Sequence, residues 1–147
     1  MGLFDRLRTE EKQTETLGPA ESFAGIVLIA LAADGYASKA ELDLLYSTLS
    51  RMRMYRSYPD DVMRRMFDKL NGILRRDGSN ALFTAAIAVL PHDLYATTFA
   101  VATDMVLADG QVTPEEEAVL TSLCQALQLD SALVNQIIDV MIIKNKG

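Results

Sequence analysis

The sequence is poor in the residues that build disulfides and histidine-dependent active sites. Its 147 residues include one cysteine, one histidine and no tryptophan. Because Cys124 is alone, a disulfide within the chain is excluded, and a reducing cytoplasm is the simplest compartment. Cys124 lies in an apolar helical pattern, where a buried structural thiol is the usual case. With His92 as the only histidine, and no catalytic triad, paired metal ligands or phosphate loop, we expect no enzyme.

Long hydrophobic runs are also absent. The longest apolar run extends from Phe23 to Ala33, which is eleven residues. A helix that crosses a bilayer needs about 20 apolar residues, so we expect no direct membrane span. Residues 1–6 lack the basic start and the long apolar stretch of a secretory signal. These absences favour a cytoplasmic protein.

Charge is distributed unevenly along the chain, which carries a net charge of −6. Residues 51–76 contain eight basic side chains and three acidic ones, whereas residues 99–130 contain six acids and no Lys or Arg. Such asymmetry influences which partners are attracted. We expect no nucleic-acid binding, because the chain is acidic overall and has no recognised reading motif. The basic side chains either form a solvated helix face or pair with the acidic part of a second copy, which would make a homodimer.

Apolar residues recur at helical spacing along almost the whole chain, and no stretch alternates with the period of a strand. This pattern predicts an all-α protein, a single compact bundle of about seven helices joined by short connections. We expect a short helix and a polar mobile segment in residues 1–18. The helical domain would then occupy residues 19–147. Its first helix is predicted to run from Pro19 to about Asp34, and a later one from about His92 to Asp109.

One motif occurs twice, 75 positions apart, each time between an apolar helical run and a second helical pattern. The shared residues are Ala33, Asp34, Gly35, Ser38, Glu41 and Leu45 in the first copy, and Ala108, Asp109, Gly110, Thr113, Glu116 and Leu120 in the second. Each copy therefore predicts a helix, a tight acidic loop and another helix. The two helix–loop–helix repeat units cover about residues 24–52 and 99–127.

Helix capping accounts for most of this motif. Ser38 with Glu41, and Thr113 with Glu116, have the spacing of a capping box, in which the hydroxyl and the glutamate each bond a backbone amide. Gly35 fits the left-handed residue that commonly closes a helix, and Gly110 in the second copy fits it too. In this interpretation the loops are joints between helices and bind no ligand.

Capping explains the aspartates less well. Asp34 and Asp109 follow the carboxyl end of a helix, where the helix dipole makes a carboxylate mildly unfavourable. Either each aspartate bonds its own loop amides, or it converges with the glutamate of its loop on a divalent cation, since carboxylate oxygens are natural ligands for hard cations. The candidate metal ligands are Asp34, Glu41, Asp109 and Glu116. Asp104, one turn before the second loop, is a fifth candidate, and the alternative for it is a solvent-facing helix edge.

With these residues the chain resembles the tellurite-resistance TerB-like family of compact, all-helical bacterial domains. The family signature is an apolar helix ending in Ala-Asp-Gly, then a hydroxyl residue and a Glu that begin the next helix, present twice. The resemblance covers about residues 20–143. It implies a cytoplasmic stress-response protein that associates with the inner face of the membrane through protein partners. It also implies acidic clusters that bind metal cations, centred here on Asp34 and Glu41 and on Asp109 and Glu116.

Two functions follow as expectations. In the first, the chain is a non-enzymatic stress-response binding module whose acidic loops present carboxylates to a divalent cation or to a basic partner, without an organic cofactor. The basic residues 51–76 would then form a second, oppositely charged docking face. In the second, the chain is a structural or scaffolding domain for protein interaction, and its acidic loops serve only as helix caps.

Overall fold

The all-α prediction is confirmed by a computed structural model, which describes residues 17–33, 35, 37–108 and 110–147. These residues form seven α-helices and two single 3-10 turns, with no strand among them. The helices are α1 (Pro19–Leu31), α2 (Lys39–Leu49), α3 (Asp60–Asp77), α4 (Ser79–Val89), α5 (Tyr95–Leu107), α6 (Pro114–Leu127) and α7 (Ser131–Lys144), and the 3-10 turns are Arg53–Tyr55 and His92–Leu94. The predicted short N-terminal helix falls in residues 1–16, outside the described residues.

Helix α1 is the centre of the fold. Pro19 occupies its first turn, where the missing amide costs no hydrogen bond. Every residue from Ser22 to Leu31 is buried, and α1 packs against α2, α3, α4, α5 and α6. Continuous apolarity in the sequence therefore corresponds to a helix that is covered on all sides.

The long helix α3 has the opposite character, with one buried and one charged face. Its buried residues are Met63, Met66, Phe67, Leu70, Asn71, Ile73 and Leu74. The basic side chains Arg64, Arg65 and Lys69 lie on its exposed face. The basic segment found in the sequence is therefore largely one side of α3 and the connection that precedes it.

Two predicted helix limits differ from the structure. The first helix ends at Leu31 instead of near Asp34, because the backbone leaves helical geometry at Ala32, where φ is −108° and ψ is 42°. The helix expected from His92 begins as a 3-10 turn, in which the Leu94 amide bonds the Pro91 carbonyl at 3.0 Å, and only becomes α-helical at Tyr95.

The last helix, α7, is less covered than its sequence suggests. Its apolar residues at helical spacing, Val134, Ile137, Ile138 and Met141, are all half-buried, and no residue of α7 is buried. Its main packing neighbour is α5. The helix therefore lies on the outside of the bundle, with one face against α5.

Candidate functional site

The first acidic loop is closed by a complete capping box. The Ser38 amide donates to Oε1 of Glu41 at 2.9 Å, and the Glu41 amide donates to Oγ of Ser38 at 3.2 Å. These two bonds satisfy amides that a helix start leaves without partners. The carboxylate of Glu41 is thus turned back onto the backbone at the beginning of α2.

The second loop has the same arrangement at the beginning of α6. The Thr113 amide donates to Oε1 of Glu116 at 2.9 Å, and the Glu116 amide donates to Oγ1 of Thr113 at 3.1 Å. Pro114 takes the first helical position. Both capping boxes expected from the sequence are present, and in both glutamates the oxygen Oε1 is the acceptor.

The aspartates of the motif, Asp34 and Asp109, lie outside the described residues. The glycines that follow them both bond back to the preceding helix: Gly35 to the Ala32 carbonyl and Gly110 to the Leu107 carbonyl, each at 3.0 Å. Gly110 has φ of 84°, in the left-handed region expected of it, whereas Gly35 has φ of 154° and is more extended. At both positions this backbone conformation would be strained for a residue that carries a Cβ.

Asp104, the fifth candidate ligand, is bound to the end of α7. Its Oδ1 accepts a hydrogen bond from Nδ2 of Asn145 at 2.8 Å and lies 3.1 Å from Nζ of Lys144. The carboxylate therefore joins α5 to α7. Among the described residues, no group of three His, Cys, Asp or Glu side chains is close enough to hold a metal ion.

Asn71 is a structurally important residue near the first loop that sequence reasoning did not identify. It is buried on α3, and its Oδ1 accepts from the Ala37 amide at 3.1 Å while its Nδ2 donates to the Ala37 carbonyl at 3.4 Å. Ala37 itself is only 4% exposed. Val112 has the corresponding place in the second loop and is 42% exposed. The first loop is thus tied to the core at Ala37, whereas Val112 of the second loop faces solvent.

A groove of about 500 Å³ lies between the start of α1 and the exposed side of α3. Its apolar wall includes Pro19, Tyr58, Val62 and Met66. The Tyr55 hydroxyl donates to the Ala20 carbonyl at 2.6 Å beside it, which fixes the 3-10 connection to the start of α1.

Charged side chains border the same groove. Nζ of Lys69 lies 2.8 Å from Oε2 of Glu21, and a terminal nitrogen of Arg65 lies 3.1 Å from Oδ2 of Asp61. The side chains of Lys69 and Arg65 are 41% and 74% exposed, so solvent screens both ion pairs. The groove therefore combines an apolar wall with the basic surface of α3.

A smaller hollow between α2 and α3 presents an aromatic surface. The rings of Tyr46 and Phe67 meet edge to face with centroids 6.3 Å apart, and the Arg64 guanidinium lies 5.4 Å from the Tyr46 ring. The Tyr46 hydroxyl donates to Asp60, and this hydrogen bond is the main reason that the pKa of Tyr46 is raised. The contact with the Tyr46 ring thus positions the Arg64 guanidinium, which extends the basic surface of α3 toward α2.

The single histidine and the single cysteine lie on different elements of the fold. The His92 ring is 4.6 Å from the ring of Tyr95 at the start of α5. Cys124 is half-buried on α6, and burial raises its pKa, which disfavours the thiolate. A nucleophilic cysteine needs the opposite shift.

Within the described residues, no single helix is long and apolar enough to cross a membrane. Ser79–Val89 and His92–Leu107 reach the required length and apolarity only as a pair, and this pair is bent by 119°. No family model, no curated protein and no solved structure matches this chain.

Proposed function

We propose that this chain is a non-enzymatic protein-interaction module that binds an acidic segment of a partner protein in the groove between α1 and α3. The observation that carries the proposal is the position of this apolar groove on the basic side of α3, beside Arg65 and Lys69. A cellular stress response, including tellurite resistance, is the context that the TerB-like resemblance supplies. Attachment to the inner membrane through partners belongs to the same proposal.

The charge around the groove between α1 and α3 favours an acidic segment as the bound partner. Residues 51–76 carry eight basic and three acidic side chains, and the exposed Arg53 and Arg56 flank Tyr55 in the connection that leads to Tyr58 of the groove. A positive surface speeds the encounter with a negative partner and disfavours basic competitors. The apolar wall supplies the water-excluding contact that charge alone lacks.

The test is site-specific photocrosslinking inside the cell. Val62, half-buried at the groove, is replaced by a photoreactive phenylalanine, and the captured peptide is identified by mass spectrometry. We expect an acidic partner segment whose capture is lost in Arg65→Glu combined with Lys69→Glu. The same photoreactive residue at Leu44, on the outer side of α2, is the positional control. Capture that is equal at Leu44, or that survives the charge reversal, contradicts the proposal.

Divalent cation binding at the acidic loops is the second candidate. It is favoured by the use of a single carboxylate oxygen, Oε1, in the capping bonds of both Glu41 and Glu116. The exposed Val112 also shows that the second loop borders solvent. Glu116 with Asp109 would then be the stronger site, and Glu41 with Asp34 the weaker one.

Thermal unfolding with millimolar magnesium, calcium, manganese or zinc tests this second candidate. A cation at about 100 times its dissociation constant adds about 2.7 kcal/mol to the free energy of unfolding. We expect the shift to disappear in Asp109→Asn combined with Glu116→Gln. The side chain in Glu116→Gln keeps an oxygen that accepts the hydrogen bond from the Thr113 amide. This variant therefore removes the negative charge and leaves the helix cap in place. The absence of a shift with every cation leaves the loops as helix caps.

A further inference from the structure

The groove between α1 and α3 lies where residues 1–16 join the described chain. Gly18 forms part of the groove wall, and Leu17 just before it is 4% exposed and belongs to the hydrophobic core. The Gly18 amide donates to Oε1 of Glu21 at 3.1 Å, and the Gly18 carbonyl accepts from the Ser22 amide at 2.9 Å. The sequence that precedes Leu17 is therefore attached at the edge of this groove, through a residue whose backbone is held in place.

Residues 1–16 combine an apolar cluster with an acidic linker. Leu3, Phe4 and Leu7 have the spacing of one side of a helix. Residues 9–16, the linker, contain three acids, one base and no apolar side chain. A short helix is marginal in water by itself, so such an apolar cluster is stabilised when another surface covers it.

The groove offers the two matching features. Its apolar wall includes Tyr58, Val62 and Met66, and Arg65 and Lys69 lie beside this wall. Its volume of about 500 Å³ is within the range of about 300–1,000 Å³ for pockets that bury most of a bound ligand. An apolar cluster followed by an acidic linker is therefore complementary to the groove in both hydrophobicity and charge.

The ion pairs at the groove do not prevent this contact. Lys69 pairs with Glu21 and Arg65 with Asp61, and the side chains of Lys69 and Arg65 are 41% and 74% exposed. Because exposed ion pairs contribute little to stability, a carboxylate of the linker can replace either partner at small cost.

The linker is also long enough. Leu7 lies ten positions before Leu17, and ten extended residues span up to about 33–36 Å. Helix α3 has 18 residues and is about 27 Å long, so the apolar cluster can reach any point along it. Short flexible linkers give millimolar effective concentrations. A second copy at micromolar concentration is about a thousand times more dilute, and the attached segment is therefore the favoured occupant.

We propose that residues 1–16 occupy the α1–α3 groove of their own chain and compete there with the acidic partner segment. Their apolar cluster contacts the groove wall, and the acids of the linker lie against Arg65 and Lys69. Because the site is the one assigned to the partner above, this regulation rests on the proposed function. The apparent affinity for the partner is reduced in proportion to the fraction of grooves that the segment leaves open.

The first test adds the segment as a separate, fluorescein-labelled peptide with the sequence of residues 1–16. We expect saturable binding to the full chain that carries Leu3→Ser, Phe4→Ser and Leu7→Ser, because its groove is open. Binding to the natural chain should be at least about tenfold weaker, which corresponds to a segment that fills about nine tenths of the grooves. Adding Arg65→Glu and Lys69→Glu to the serine variant should remove most of the binding.

The matched control places three serines in the same segment without changing the apolar cluster. The full chain with Thr9→Ser, Thr14→Ser and Thr16→Ser should bind the peptide as weakly as the natural chain does. Both triple variants leave residues 17–147 unchanged, and circular dichroism verifies their fold.

The second test is photocrosslinking in the purified full chain, with a photoreactive phenylalanine in place of Val62. A mixture of isotopically labelled and unlabelled chains separates bonds within a chain from bonds between copies by mass. We expect crosslinks from Val62 to residues 1–16 of the same chain. The same photoreactive residue at Leu44 should give none.

Three results contradict the proposal. The first is the absence of saturable peptide binding to the serine variant. The second is equal binding to the serine variant and to the natural chain, which shows that the segment leaves the groove open. The third is crosslinking only between copies, which assigns the groove to a second copy.

Failure of this regulation is distinguishable from failure of the proposed function. If an acidic partner is captured at Val62 in cells but no crosslink forms within the purified chain, only the regulation is wrong. If the crosslink within the chain forms but even the serine variant captures no partner, the segment does occupy the groove and the proposed partner is wrong.

Discussion

The carboxamide of Asn71 on α3 bonds both the amide and the carbonyl of Ala37 in the first acidic loop. A single buried side chain thus takes the place of a backbone partner for a loop residue 34 positions away. This contact holds the start of α2 against α3. The corresponding loop before α6 presents Val112 to solvent instead.

Replacement of Asn71 should destabilise the protein strongly. In Asn71→Leu, the Ala37 amide and carbonyl stay buried but lose their partner, and each such group costs about 1–3 kcal/mol. We expect the free energy of unfolding to fall by about 2–4 kcal/mol in urea titration. Asn145→Ala, which removes a half-exposed asparagine from the end of α7, is the control and should cost clearly less. An equal loss in both variants would contradict the importance of the Ala37 contact.

The two capping boxes should contribute similarly to stability. Loss of an N-cap hydroxyl costs about 1 kcal/mol, so Ser38→Ala and Thr113→Ala should each lower the free energy of unfolding by this amount. Ser38→Asp and Thr113→Asp should restore most of it, because aspartate is also a good N-cap. Chemical denaturation of all four variants measures the effect. A cost near zero for Thr113→Ala would show that the second loop relies on other contacts.

Thr103 offers a stabilising substitution. It is 2% exposed, and its hydroxyl has no hydrogen-bond partner within the described part of the chain. Thr103→Val removes this buried polar atom at nearly constant shape, and we expect a gain of about 1 kcal/mol. Thr98→Val is the matched control on the same helix, because the Thr98 hydroxyl donates to the Leu94 carbonyl at 2.6 Å. The control should be neutral or destabilising, and a gain in both variants would remove the argument from the missing hydrogen bond.

Tyr55 should make stability fall at alkaline pH. It is 1% exposed, and burial raises its pKa above that of an unfolded tyrosine, which is about 10. Because the folded pKa is the higher one, its contribution is complete below about pH 10 and is lost as the unfolded chain ionises above it. Urea titrations between about pH 8 and about pH 11 should show a steeper decline for the natural chain than for Tyr55→Phe. Equal slopes would contradict this assignment.

Local sequence signals predicted the helices and the caps well. Pro19, Ser38 and Thr113 mark helix starts because their effects depend on amides within the same turn. The side-chain bonds of Glu41 and Glu116 span only three positions. Such short-range chemistry is visible in the sequence before any packing is known.

The remaining contacts depend on tertiary packing. Asn71 could be noticed only as a polar residue on the apolar face of α3, and its partner is 34 positions away. The pairing of Asp104 with Asn145 spans 41 positions and was not foreseen. Hydrophobic periodicity also did not show that α7 packs mainly against one helix. The spacing of apolar residues identifies which face of a helix packs, but not how many helices cover that face.

The incomplete burial of α7 should affect its dynamics. A helix without a fully buried residue gives up little apolar contact when it detaches, so its amides should exchange with deuterium through local opening, ahead of those in α1. Any molecule that adds contacts to α7 would slow this exchange selectively. Deuterium uptake along Ser131–Lys144 therefore reports directly whether another molecule contacts α7.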